Sequence, residues 1–190
     1  MTLDIQATDG SAFSQYADVS IAFCVDRRAR VSNAPAGAHR FTVEPVSEPY
    51  LKDYDGIPGN SPASWLDRWP EANWRVFIAR RTGIVVGRAA CVSRAAGIDM
   101  LEGRDDLAVL WDIRVSPDAR RQGVGAALLS SVETYAGKSG CKELKVESQD
   151  INVPACRFYE SCGFTLREVN ERAYPDLPGE VQFLWYKPLV

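Results

Sequence analysis

At 190 residues, 46% of them hydrophobic, the chain is long enough to bury a sizeable core and is expected to form one domain spanning 1–190. Lys and Arg number 22 against 25 Asp and Glu, a net charge of −3 with the signs interspersed, which argues against a nucleic-acid-binding stripe. Five cysteines without a Cys-x-x-Cys pair point to a reduced compartment rather than a disulfide scaffold, and the single His39 offers neither a metal cluster nor a Ser–His triad.

In chain order, residues 1–17 are polar and expected to be poorly ordered. No charged-then-apolar leader opens the chain and no apolar run approaches ~18 residues, so a cytoplasmic protein without a membrane partner is expected. Strands are predicted over 19–25 and 40–46, with a turn at 34–37, and the Gly- and Pro-punctuated stretch 49–62 reads as a loop. A short helix over 63–68 would be capped by Ser61 or Ser64. Segments 74–80 and 84–92 form a hairpin about Thr82-Gly83, and 107–115 is the next strand. A helix from Gln122 to about Lys138 stops near Gly140. Residues 143–148 alternate as a strand, with Leu144 and Val146 opposed to Lys145 and Glu147. A helix capped by Asn152 and ended by Gly163 follows, then a strand from Phe164 and a last one over 180–187. The pattern predicts an α/β (α+β) fold, a mixed and mainly antiparallel sheet flanked by helices.

The junction from Val115 to Gly125 is the most chemically specific stretch. Two glycines where a strand gives way to a helix let backbone amides approach an anion, and Arg120 and Arg121 add positive charge. A P-loop would need Lys-Ser/Thr after its last glycine, and a dinucleotide fingerprint would need glycine where Leu128 stands. Arg/Gln-x-x-Gly-x-Gly/Ala is filled by Arg120, Gly123 and Gly125. That pattern resembles the coenzyme A pyrophosphate loop of the GNAT N-acetyltransferases. A second block, Asn152-Val153-Pro154-Ala155 running through Phe158-Tyr159 to Gly163-Phe164, is similar to the other GNAT signature. Tyr50, Lys52, Asp53 and Tyr54, Glu147 and Gln149, and Glu180, Trp185 and Tyr186 together resemble the streptothricin acetyltransferase branch. Trp111 stands where that branch more usually has an acidic residue.

The resemblance implies acetyl-CoA as cofactor and acetyl transfer to a primary amine of a small cationic molecule, with the β-lysine amine of streptothricin favoured and antibiotic resistance the result. A polyamine, an amino acid derivative or a protein amine is the alternative acceptor, and a non-catalytic acyl-CoA sensor the alternative class. It implies that the amides of Gly123, Val124, Gly125 and Ala126 face the diphosphate, with Arg120, Arg121 and Gln122 beside it. The backbone of Ile113, Arg114 and Val115, and Asn152, would meet the pantetheine arm. Tyr159 is the implied proton donor to the departing thiolate, a role its phenol suits. An ammonium needs a base: Glu147 and Asp112, on adjacent candidate strands, are favoured and the sequence does not separate them, with Glu180, also an expected acceptor-binding residue, as a third choice. Asp53, Asp55 and Asp112 would form an acidic mouth lined by Tyr50, Tyr54 and Trp111. Cys156, in a first helical turn, is a candidate for a covalent relay, with direct attack preferred. A homodimer is left open.

Overall fold

The computed structural model describes residues 2–32 and 39–189; the predicted turn at 34–37 lies outside them. The elements run β1 (Leu3–Thr8), β2 (Phe23–Ser32), β3 (Arg40–Lys52), α1 (Trp65–Arg68), β4 (Trp74–Arg81), β5 (Ile84–Ser93), β6 (Leu107–Val115), α2 (Val124–Lys138), β7 (Glu143–Gln149), α3 (Val153–Ser161), β8 (Thr165–Asn170) and β9 (Gln182–Pro188). The fold is mixed α/β, with mainly antiparallel sheet flanked by helices.

The chain gathers into two compact units. The first takes residues 2–22, 53–144 and 188–189. Within it β1, β4, β5 and β6 pair in that order, each antiparallel to the next. The helix α2 lies on these strands. Its first turn comes so close to β5 that a Cβ on Gly87 would stand 3.0 Å from Val124, Leu128 and the Arg114 carbonyl. On the same unit, Phe13, Tyr16, Trp65, Trp74, Val76, Val92 and Val109 form a buried cluster, with Trp69 and Trp111 packed against it.

The N-terminal segment differs from the sequence expectation. It forms β1 and a 3-10 helix, Gly10–Asp18, that buries Phe13 and Tyr16. Side chains three apart eclipse on a 3-10 helix, so two aromatics bury one face of an otherwise polar segment. The helix predicted over 63–68 is a 3-10 turn leading into a single α-turn, and neither Ser61 nor Ser64 caps it through its side chain.

The second unit takes residues 23–52 and 145–187. Here β2 and β3 make a long antiparallel hairpin, while β7, β9 and β8 are neighbours in that order. β2 starts later than expected and β3 continues to Lys52, through Pro45 and Pro49. The ladder slips between Val25 and Arg27, from Tyr50 to Pro45, so Pro49 lies within a break where no ladder amide is needed and Pro45 stands at its edge. The helix α3 contacts β2 and β8. Glu143 and Lys145 on β7 are buried along with Leu144 and Val146, so both faces of the strand are covered, not one as its alternation suggested.

Candidate active site

In the first unit, β6 carries a bulge. Its register with β5 passes from Ala90↔Asp112 to Cys91↔Leu110, leaving Trp111 as the extra residue. Trp111 packs on Trp69, Trp74 and Trp65, with ring centroids 4.9, 5.5 and 6.3 Å away. Asp112 is buried and accepts from Tyr16 Oη at 3.0 Å. Arg114 donates to both Asp112 oxygens at 2.9 and 2.8 Å, to both Asp55 oxygens at 2.7 and 3.2 Å and to the Val19 carbonyl at 3.2 Å. The Tyr16 ring lies 4.8 Å from the guanidinium carbon.

Those five contacts match the five N–H groups of a guanidinium. Burial alone would lower the Arg114 pKa, yet the Asp112 and Asp55 carboxylates hold it well above the ordinary arginine value. Of the expected acidic mouth, Asp55 and Asp112 share one buried cation, which offsets one of their two charges, and Asp53 accepts the Asp55 amide at 3.1 Å in a local turn. Tyr54 is half-buried in the same turn region.

Beyond β6 the chain turns sharply. Arg120 donates from Nε to the Val115 carbonyl at 3.1 Å and from Nη2 to the Ala22 carbonyl at 2.9 Å, clamping the turn it stands in. Gln122 donates to the Asp118 carbonyl at 2.7 Å and accepts from Arg81. Arg121 is exposed, with φ +60°. The helix begins at Val124 rather than Gln122, with Gly123 as its N-cap at φ 82°, ψ −4°. The first helical bond runs from Ala127 N to Gly123 O at 3.0 Å, so the amides of Val124, Gly125 and Ala126 precede the hydrogen-bonded ladder. A Cβ on Gly123 would meet nothing within 4 Å, so this end of the helix is open. Amides at an open helix N-terminus beside an exposed arginine suit a diphosphate.

In the second unit, Asn152 is the expected N-cap, its Oδ1 accepting the Ala155 amide at 3.2 Å. The helix ends on Gly163 at φ 85°, with Gly163 N bonded to Glu160 O at 3.1 Å and Phe164 N to Tyr159 O at 3.0 Å. That pair of bonds is a Schellman closure. It fixes Tyr159, 5% exposed, with its ring against Phe164 at 5.6 Å and Trp185 at 6.3 Å. Burial pushes the Cys156 thiol up to about 12, the opposite of what a nucleophilic relay needs.

The carboxylates of this unit divide in the same way. Glu180 is buried and paired with Lys52 of β3. Glu147 is half-buried and faces neutral donors: Tyr174 Oη at 2.6 Å and Gln149 Nε2 at 3.1 Å on Oε1, and Gln182 Nε2 on Oε2. Tyr50, in this unit, is 45% exposed. Tyr174 and Gln182 escape a sequence reading. The signal that would have flagged Tyr174 is the β8–β9 connection, 171–181, which exceeds the roughly 2–5 residues of an ordinary hairpin loop and is the kind of loop that carries function.

The profile of the Acetyltransferase (GNAT) family matches residues 35–164, and the chain belongs to that family. It is an acetyl-CoA-dependent GNAT N-acetyltransferase. Streptothricin acetyltransferase A of Bacillus subtilis (strain 168) is 28% identical over 152 residues, 79% of this chain and 80% of the relative. The ribosomal protein bS18-alanine N-acetyltransferase of Escherichia coli (strain K12) is 38% identical over 74 residues, 39% of this chain and 50% of the relative. The crystal structure of a nourseothricin acetyltransferase superposes with TM-score 0.76 at 22% identity over all of both chains. A candidate streptothricin acetyltransferase from Bacillus anthracis str. Ames, solved in complex with acetyl coenzyme A, superposes with TM-score 0.78 at 24% identity, covering 98% of this chain and 99% of that one.

Proposed function

We propose that this enzyme acetylates a primary amine of a small cationic molecule, with the β-lysine amine of streptothricin as its acceptor and resistance to that antibiotic as the result. The observation that carries the reading is the extent of the likeness to the Bacillus subtilis streptothricin enzyme, four-fifths of each chain, against two-fifths of this chain for the ribosomal-alanine enzyme. That second likeness, higher in identity but local, supports a protein or peptide amine as the competing acceptor.

Acetyl-CoA supplies the activated thioester. The amides of Gly123, Val124, Gly125 and Ala126, with Arg121, hold its diphosphate, while Arg120 and Gln122 fix the turn that presents them. The backbone of Ile113, Arg114 and Val115 orients the pantetheine arm, with Asn152 serving the same arm through whatever its capping bond leaves free. Tyr159 Oη is the proton donor to the leaving sulfur. Of the three candidate bases, Asp112 is committed to Arg114 and Glu180 to Lys52, whereas Glu147 faces neutral donors alone; Glu147 is the base. The resemblance assigns acceptor contacts to Asp53, Tyr54 and Trp111 in the first unit and to Tyr50 and Glu180 in the second.

Mass spectrometry of streptothricin incubated with the enzyme and acetyl-CoA, beside polyamines, amino acid amides and an alanine-initiated peptide, tests the reading. One acetyl group on the β-lysine moiety, added faster than to any other amine, is the expected result. Rapid acetylation of the peptide with streptothricin untouched would overturn it.

A further inference from the structure

Glu147 sits in a closed hydrogen-bond network. Tyr174 donates to Oε1 at 2.6 Å and accepts from Gln149 Nε2 at 3.0 Å, and the same amide donates to Oε1 at 3.1 Å. Gln182 fills one position on Oε2. A carboxylate offers about four acceptor positions. Among the described residues three are taken, all by uncharged groups, and no Lys or Arg stands within ion-pair distance of Glu147. One position is left, on Oε2.

The Tyr174 loop is built rather than slack. Asn170 Oδ1 accepts the Arg172 amide at 3.0 Å, Leu177 N reaches Tyr174 O at 3.2 Å and Glu180 N reaches Leu177 O at 3.1 Å. Arg28 donates to the Gly179 carbonyl and Lys52 pairs with Glu180, so the β2–β3 hairpin holds the end of the loop from outside. Burial, and then the Glu147 charge, raise the Tyr174 phenol far above its ordinary value, so it stays a donor at any working pH.

We infer that Tyr174 is a positioning residue which, with Gln149 and Gln182, leaves Glu147 a single open acceptor position, Oε2, for one ammonium group of the acceptor. There an N–H bond breaks, its electron pair stays on nitrogen and the proton passes to Oε2. The three neutral donors stop the carboxylate from rotating or gripping the ammonium with both oxygens, either of which would turn it from a base into an ion-pair partner. The inference rests on Glu147 being the base and extends it to residues with no assigned role.

The test is a double-mutant cycle of Tyr174→Phe and Glu147→Gln, assayed by coenzyme A thiol release on whichever amine the wild-type enzyme acetylates fastest. Losing a hydrogen bond to a charged group is expected to lower kcat by about tenfold or more in Tyr174→Phe. The KM for acetyl-CoA should stay within about twofold and the melting temperature within a few degrees, since the ring is retained. In the Glu147→Gln background the same change should lower kcat by less than about twofold, because Tyr174 acts only through the carboxylate. Equal losses in both backgrounds, or an unaltered kcat in Tyr174→Phe, would overturn the inference while leaving the base in place. Wild-type turnover by Glu147→Gln would instead remove the base and the inference with it. Should Tyr174→Phe fold poorly, Gln182→Leu reads the same coupling from the other oxygen.

Discussion

At the scale of single residues, charge pairing separates three carboxylates that look alike in sequence. Asp112 lies on the strand whose backbone is expected to meet the pantetheine arm, yet its oxygens are tied to Arg114 and the Tyr16 hydroxyl. Its removal takes two hydrogen bonds and one of two counter-charges from a guanidinium whose side chain is 1% exposed, leaving Asp55. Breaking a buried pair from one side costs about 3 kcal/mol or more. Asp112→Ala is therefore expected to melt about 10 °C lower by calorimetry, at ~2–4 °C per kcal/mol for a chain of this size. The fraction that stays folded should retain kcat within a few-fold. Glu147→Gln should do the reverse, with melting hardly altered and kcat down by about 10²-fold or more, the contribution of a general base. A catalytic collapse in Asp112→Ala at unchanged melting temperature would exchange the two assignments.

At the scale of elements, the start of α2 joins folding to cofactor binding. Gly123 holds φ 82° with open space where a side chain would go, so a substitution is resisted by backbone strain alone, about 1–2 kcal/mol. A carboxylate there is favoured by the helix dipole, which offsets part of that strain by roughly 0.3–1 kcal/mol. The same charge repels a diphosphate. Gly123→Glu should thus fold with a small loss of melting temperature and lose measurable acetyl-CoA binding by titration calorimetry, and undiminished affinity would remove the loop from the cofactor site. Elements of this local kind were open to a sequence reading. The β4–β5 hairpin turns at Thr82-Gly83 as its residues dictate, β6 spans the predicted residues, and α3 runs from the Asn152 cap to the Gly163 closure. What escaped depends on partners distant in sequence. Pro49 argues for a loop until a break in the β2 ladder makes its missing amide harmless. The expectation of disorder over residues 1–17 fails because the tryptophan cluster that buries Phe13 and Tyr16 is contributed from 65 onward. Tyr174 and Gln182 meet Glu147 from 27 and 35 residues along the chain, a juxtaposition that only the folded strands create.

At the scale of the molecule, each unit contains a deeply buried thiol, Cys91 in the first and Cys156 in the second, and burial pushes both up to about 12. In the unfolded chain the same groups titrate near 9.0. Between those values the unfolded state sheds protons that the folded state keeps, so stability is full below about pH 9 and declines as pH rises toward 12. By pH 10 the loss is about 1 kcal/mol for each thiol. The Tyr16 phenol, raised by burial and then by Asp112, and the Tyr174 phenol add to the decline at higher pH. The melting temperature is accordingly expected to fall by roughly 5 °C or more between pH 8 and pH 10. Cys91→Ala and Cys156→Ala should each flatten that fall, and the two effects should add, since the thiols belong to different units. The same thiol values bear on catalysis. At pH 8 a thiol titrating near 12 is ionised in roughly one molecule in ten thousand, so an acetyl relay through Cys156 would be starved of nucleophile. Cys156→Ala should then turn over within a few-fold of wild type while its alkaline melting curve flattens. Loss of turnover at intact stability would restore the relay, and loss of both together would mark Cys156 as packing on which Tyr159, three residues along the same helix, depends.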